Sequence, residues 1–151
     1  MKTILVPVDF SPVTNRVCDA ACALARRIKA RVVLFHVIEP VPAMVNDYAM
    51  PMQDLDYLID QAQVIANRKM LALGRRAAAR RVRVLAAQRT GKPVPTILAK
   101  AAELKSDYLV IGSQGHTAAY DLLIGSVLQG VLRKVACPVL VVPATDRRAR
   151  K

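Results

Sequence analysis

Tryptophan is absent from this chain of 151 residues, and aromatic residues of any kind make up only 4% of it. A core without aromatics has to be built from Ala, Val, Leu and Ile, as is usual where helices pack on a parallel sheet. Cysteine is scarce as well. Cys18, Cys22 and Cys137 are too few, and odd in number, so a disulfide framework is excluded. Cys18 and Cys22 stand four apart on one side of a predicted helix, but no partner ligands follow at finger spacing, so they read as small buried hydrophobes and no metal site is expected. No apolar run reaches the roughly 18 residues of a membrane span. The apolar part of the opening segment is too short for a signal peptide and runs at once into Asp9. A cytoplasmic protein with no membrane partner is expected.

Acidic residues are also in short supply, 11 against 23 Lys and Arg, giving a formal charge of +12. The bases cluster from Arg68 to Lys92, with no acid between them, and again at Arg147, Arg148, Arg150 and Lys151. Such clusters read either as a solvated helix face and a frayed end or as a polyanion-binding surface. Neither cluster carries interleaved aromatics on which bases stack, so nucleic acid is not the expected partner.

What is present is a strongly apolar, alternating pattern. Hydrophobic residues make up 54% of the chain, enough to exclude disorder, and the length suits one domain. Lys2 to Val8 and Arg31 to Ile38 read as buried strands. Ser11 and Pro12 predict a helix start, as N-cap and first helical residue, and the helix ends near Lys29. An irregular methionine-rich segment, Val41 to Met52, is expected to pack as a loop. A long helix follows through roughly residues 54–79, with Leu55, Leu58, Ile59, Ala62, Ile65, Ala66, Lys69 and Leu73 on the packing side and charge on the far face. Val82 to Ala87 is a third strand, Thr90 to Pro93 a turn, and Ile97 to Leu104 a short helix. Asp107 to Ile111 is a fourth strand, a helix runs to about Val135, and Pro138 to Pro143 encloses a last strand suited to a sheet edge. The order β-α-β-α-β-α-β-α-β predicts an α/β fold, a single doubly wound domain with a five-stranded parallel sheet.

Glycine is rare, six in all, yet three of the six fall in Gly112 to Ser126, between the fourth strand and the next helix. In open parallel sheets, ligands bind beyond the carboxyl ends of the strands where the strand order reverses. Gly112 and Gly115 can present backbone N–H groups to an anion, and Gly125-Ser126 stands where a helix N-terminus favours negative charge. The stretch therefore reads as a phosphate cradle. It is neither the dinucleotide G-x-G-x-x-G turn nor a Walker loop.

These residues resemble a known family. Gly112, Gly115, Gly125 and Ser126, with nine residues between the second and third glycines, match the nucleotide-binding signature of universal stress proteins of the UspA type. Ile4 to Ser11, with Asp9, resembles the family's first strand, His36-Val37 the end of its second, and Val135 to Pro143 its closing helix-to-strand passage. The resemblance implies a Rossmann-like, adenine nucleotide alpha hydrolase-like domain over residues 1–143, followed by a basic tail, 144–151. It also implies a homodimer formed through the last strand, Val139, Leu140, Val141 and Val142, and membership of the ATP-binding branch. Carried over residue by residue, Pro7 and Val8 would line the adenine pocket, Asp9 would contact the nucleoside, and the Val37 backbone would read the adenine edge beside Ile111. Gly112, Gly115, Gly125, Ser126 and Val127 would hold ribose and phosphates, and His116 could reach a phosphate. By itself, Asp9 also reads as a helix-start carboxylate, and His116 as a solvent-facing loop residue. One departure is the segment 116–124, where family members often carry basic residues; here it holds Asp121, so ATP, ADP and AMP, with or without Mg²⁺, all stay open.

No catalytic constellation stands out, so binding in a stress-response regulatory protein is expected rather than turnover, with slow ATP hydrolysis at most. The alternatives are a nucleotide-free interaction module and a polyanion binder using Arg68 to Lys92.

Overall fold

The computed structural model describes residues 1–39, 52–113 and 125–144, with the backbone alone for 52–56. Gly115, His116, most of the Val41 to Met52 segment and the tail beyond 144 lie outside the described residues. The chain runs β1 (Thr3–Pro7), α1 (Thr14–Ile28), β2 (Arg31–Ile38), α2 (Met52–Ala78), β3 (Val84–Thr90), α3 (Pro93–Glu103), β4 (Tyr108–Gly112), α4 (Ser126–Leu132) and β5 (Val139–Val142). All four strand pairings are parallel, and the sheet order is β3-β2-β1-β4-β5. The expected five-stranded parallel sheet and the edge position of the last strand are both observed.

Central strands buried on both faces explain the unbroken apolar runs. Ile4, Leu5 and Val6 of β1, Val32 and Leu34 of β2, and Leu109 and Val110 of β4 have no exposed surface. Alternation then sorts them between two cores. Ile4, Val6, Val32 and Leu34 pack with Val17, Cys18, Ala21, Cys22 and Ala25 of α1 and with Met70 and Ala77 of α2. Leu5, Val33, Phe35, Leu109 and Ile111 pack on the other side with Ile97 and Ala101 of α3 and Leu128 and Val131 of α4. The small residues of α1 let it approach the sheet closely, which is where the two buried cysteines serve.

Four local expectations need correction. The first helix starts at Thr14, with Val13 as N-cap, not at Ser11 and Pro12. Ser11 instead accepts the Thr14 N–H through its carbonyl at 3.0 Å, closing a turn ahead of the helix. The long helix buries Ala66, Met70 and Ala77, whereas Leu58 and Ile65, expected on the packing side, are exposed. β3 extends to Thr90 because β2 templates it through Ile38↔Thr90, and the polar end Gln88-Arg89-Thr90 is tolerated at an edge. α4 ends at Leu132, where Lys134 N–H bonds Val131 at 3.0 Å in a tightened last turn.

Candidate functional site

The sheet order reverses between β1 and β4, and the carboxyl ends of β1, β2 and β4 open there into a cavity of about 210 Å³. Three pieces of backbone shape it.

The first is the exit from β1. Val8 N–H donates to the Phe35 carbonyl at 2.9 Å, and His36 Nδ1 lies 2.8 Å from the Val8 carbonyl, its N–H donating. Phe10 then turns the chain with a left-handed φ of 62°, uncommon outside glycine. Its ring rests on the His36 imidazole, centroids 4.3 Å apart, with the Lys69 ammonium 5.1 Å from its centre. These contacts hold a backbone conformation that is unfavourable by itself, and such strain gathers at functional turns. Asp9, between them, lines the cavity. Its Oδ1 accepts the Ser11 N–H at 3.0 Å and the Thr14 hydroxyl at 3.3 Å. Asp9 is thus both a cavity residue and the organiser of the turn into α1.

The second piece is the end of β2 with the start of α3. Phe35, Val37 and Glu39 face the cavity beside Pro93 and Ile97. Pro93 occupies the first turn of α3, where a missing N–H costs nothing. Gly91 closes the turn ahead of it, donating to the Ile38 carbonyl at 2.9 Å.

The third piece is the glycine stretch. The chain leaves the sheet at Gly112-Ser113 and returns at Gly125, whose N–H donates to the Ser113 carbonyl at 2.9 Å. Ser113 N–H bonds Val142 at 2.8 Å, and its Oγ accepts the Ala144 N–H at 3.1 Å, so this junction is tied to β5. Gly125 is the N-cap of α4, and Ser126 is its first helical residue rather than its cap. The first bond of the helix ladder is Gln129 N–H to Gly125 at 3.0 Å. The N–H groups of Ser126, Val127 and Leu128 precede that ladder, as the first turn of a helix requires. All three residues line the cavity.

Pro7, Val8, Asp9, Val37, Ile111, Gly112, Gly125, Ser126 and Val127 therefore meet around one cavity. Gly115 and His116 lie outside the described residues. The sequence reading missed Val13 at the N-cap of α1, Thr14 and Val17 within it, Phe35, Glu39, Pro93, Ile97 and Leu128. Thr14 had a signal, its spacing from Asp9; the others are ordinary core or turn residues until the fold joins them. Among the described lining residues the charged groups are Asp9 and Glu39, and no Lys or Arg takes part. No cluster of three or more His, Cys, Asp or Glu suited to a metal occurs among the described residues.

The basic stretch Arg68 to Lys92 is divided by the fold. Arg76 and Arg80 of α2 pair with Asp19 of α1 at 3.0 and 2.7 Å. Gln88 faces α2, bonding Asn67 at 2.6 Å, so Arg89 points to the other sheet face, where it meets Glu103 of α3 at 3.0 Å.

Comparison with known proteins agrees with this architecture. The family model described as the universal stress protein family matches residues 1–143. A universal stress protein of Thermus aquaticus is 32% identical over 93% of this chain and 98% of its own length. The solved universal stress protein UspA of Lactobacillus plantarum superposes with a TM-score of 0.81 at 25% identity, covering 93% of this chain and 97% of that one. Two more distant neighbours share the fold: a universal stress protein in complex with cAMP (23% identity, TM-score 0.65, 95% of this chain and 98% of that one) and one of Archaeoglobus fulgidus in complex with dAMP (21%, 0.67, 93% and 97%).

Proposed function

The chain belongs to the universal stress protein family, and we propose that it is an adenine-nucleotide-binding regulatory member that acts in the stress response as a cytoplasmic homodimer. The observation that carries the reading is the cavity at the β1–β4 switch point, apolar on two sides and bordered on the third by the first-turn amides of α4. Val8, Phe35, Val37, Pro93, Ile97 and Ile111 form a slot for a flat heteroaromatic base. Asp9 lines the cavity and is exposed, and would meet a ribose hydroxyl. Gly112, Gly125, Ser126 and Val127 border the end where phosphates would lie, with N–H groups and a helix dipole favouring negative charge. A volume of about 210 Å³ is below the roughly 300 Å³ of a pocket for a drug-sized ligand. It suits base and sugar, with phosphates leading outward. Complexes of universal stress proteins with cAMP and dAMP support the same ligand class.

ATP, ADP and AMP are the candidate ligands. The carboxylates of Asp9 and Glu39 favour neither a bare triphosphate nor a catalytic reading, and Mg²⁺ would be needed to offset charge if ATP binds. The dimer is assigned to β5, which among the described residues is an edge strand paired with β4, exposing Leu140 and Val141 by 40% and 38%. Such an edge invites a second copy. The domain then comprises residues 1–143, with the basic tail beyond it.

The test starts from untreated purified protein. Denaturing it and identifying released small molecules by chromatography and mass spectrometry is expected to give an adenine nucleotide near one per chain. Emptied protein titrated with nucleotide to about a hundred times its Kd gains about 2.7 kcal/mol, a rise in melting temperature of roughly 5–10 °C at this size. Empty protein that also gains nothing from ATP, ADP or AMP, with or without Mg²⁺, overturns the reading.

A further inference from the structure

Four residues other than glycine have left-handed backbone among the described residues: Phe10, Lys29, Arg81 and Lys105. Phe10 belongs to the cavity end of the molecule. The other three stand at the opposite end, each where a helix gives way to the next strand: Lys29 between α1 and β2, Arg81 between α2 and β3, Lys105 between α3 and β4. Their φ angles are 53°, 60° and 46°. Each turn is closed by the residue's own N–H, which donates to the carbonyl of Ala25, Ala78 and Ala102 in turn. Glycine is the usual residue at such a helix end, because a Cβ makes this conformation costly. The chain has six glycines and places none there. With 23 Lys and Arg in 151 residues, a base at all three positions is more than composition supplies. A helix dipole rewards a cation anywhere in the last turn, as Arg26 and Arg27 provide in α1, so it does not require one at the strained position.

The strand starts carry the same sign, where no helix dipole acts. Lys2 precedes β1, Arg31 opens β2 and Arg83 precedes β3. Arg31 N–H donates to the Lys2 carbonyl and Val32 N–H to the Arg83 carbonyl, both at 2.9 Å. These starts therefore lie side by side on strands about 4.8 Å apart. Where parallel strands alternate with crossover helices, strand starts and helix ends gather at one end of the fold. The six bases share that end although they come from four stretches of sequence. Lys2, Lys29, Arg81, Arg83 and Lys105 are exposed, and none has an ion-pair partner among the described residues. Arg31 is half-buried, its Nε donating to Thr3 Oγ1 at 2.9 Å. Of the acids nearby, Asp107 accepts the Thr3 N–H at 2.7 Å and Glu103 is held by Arg89 and Lys100. Like charges gathered on one face repel, and three of them occupy costly backbone. Neither feature serves the fold.

We infer that this end of the molecule docks the phosphate backbone of duplex nucleic acid, without regard to sequence. Charge complementarity calls for a polyanion. Among the described residues Tyr57, near the start of α2, is the exposed aromatic, so the face has none to stack on an unpaired base or to anchor at a bilayer surface. A duplex keeps its bases inside and presents phosphates, one charge per about 1.7 Å of its axis. The linear run Arg68 to Lys92, by contrast, is divided by the fold, and of its members Arg81 and Arg83 reach this face.

The experiment titrates the full chain into a short fluorescent DNA duplex of mixed sequence and follows anisotropy from about 50 to 200 mM salt. With six phosphates met, log affinity is expected to fall against log salt with a slope of about −5, and a duplex of different sequence to give the same line. K29G/R81G/K105G is expected to reduce the slope to about −3 and to weaken binding more than tenfold at about 0.1 M salt. Its melting temperature should be unchanged or raised, because glycine suits the left-handed backbone. K2Q/R83Q touches no strained position and should reduce the slope by about two; it decides the matter if the glycine variant loses stability. R68Q/K92Q removes the same charge away from the face, from α2 and from the N-cap of α3 at the cavity end, and should leave the slope nearly unchanged. The inference is overturned if the chain does not bind the duplex at the lowest salt, if a stably folded face variant binds as the parent does, or if R68Q/K92Q lowers the slope as much as K2Q/R83Q. Phosphatidylserine-containing vesicles are the second probe, and binding to them with none to the duplex equally overturns it. The nucleotide cavity lies at the other end, so its failure to bind a nucleotide would change none of these outcomes.

Discussion

At the scale of the residue, two glycines that look alike in the sequence do different work. Gly91 has φ +156°, and a Cβ placed there would stand 2.5 Å from Thr96 Oγ1. Both conformation and space demand glycine. G91A is expected to cost roughly 1–3 kcal/mol in urea titration, and T96A added to it should recover only the part due to the clash. Gly125 has φ −59° and ψ 142°, angles open to any residue. Its backbone does not need glycine; in the proposed function the absent Cβ serves the ligand's approach. G125L should leave the urea midpoint nearly unchanged while weakening adenine-nucleotide binding more than tenfold by calorimetry, or at least about 1.4 kcal/mol. A loss of stability with binding intact would return Gly125 to the role of turn-former.

Cys18 supplies a third prediction at this scale. Burial first, then the neighbouring Cys22 and Asp19, push its thiol from 9.0 up to about 12, and Cys22 is raised as well. The raised value means that the folded state holds the proton after the unfolded chain has lost it. Stability is therefore complete below pH 9 and falls as pH rises from about 9 towards 12. Melting temperatures measured from pH 8 upward should decline less steeply in C18A than in the parent chain. The same burial keeps Cys18 unreactive to thiol reagents until the protein unfolds.

At the scale of the element, the burial of the central strands sets what each can tolerate. Leu109, in the middle of β4, has no exposed surface and faces Leu5, Ile111 and the α3–α4 layer. L109A is expected to cost about 2–5 kcal/mol, read as a shift in the urea midpoint. The ion pairs of Asp19 with Arg76 and Arg80 tie α1 to α2 in a different way, with Asp19 about a third exposed and both arginines more so. D19N should cost no more than about 1 kcal/mol. What joins these helices is the packing of Cys18, Cys22 and Ala25 against Met70 and Ala77.

At the scale of the whole molecule, charge and edges decide association. Copies carrying +12 repel one another over about 10 Å at 0.1 M salt. Contact through the apolar β5 edge should therefore strengthen when ionic strength rises from very low to physiological values. V141K, placing a charge on the exposed part of that edge, is expected to abolish the proposed β5 dimer by light scattering while leaving the melting temperature of the monomer within a few degrees.

The alternation of apolar runs and helical periods was enough to determine the element order, the parallel sheet and the edge position of β5, because burial on two faces leaves unbroken Val, Leu and Ile. The glycines at 112 and 125 were legible as a candidate site because the chain uses so few elsewhere, and the fold brings both to one cavity. The start of α1 was not: Asp9 accepts the Ser11 and Thr14 donors and moves the helix to Thr14, a contact that depends on how the chain leaves β1. The exposure of Leu58 and Ile65 was not legible either, since a helix apolar on two faces has no single preferred side until it meets a sheet. Only the tertiary structure decided that Phe35, Glu39, Pro93 and Leu128 share a cavity with Asp9 and Gly112. These six residues come from five separate segments, and what unites them is the reversal of strand order between β1 and β4. Local propensity determines which elements form; the order in which strands pair determines which of their ends meet.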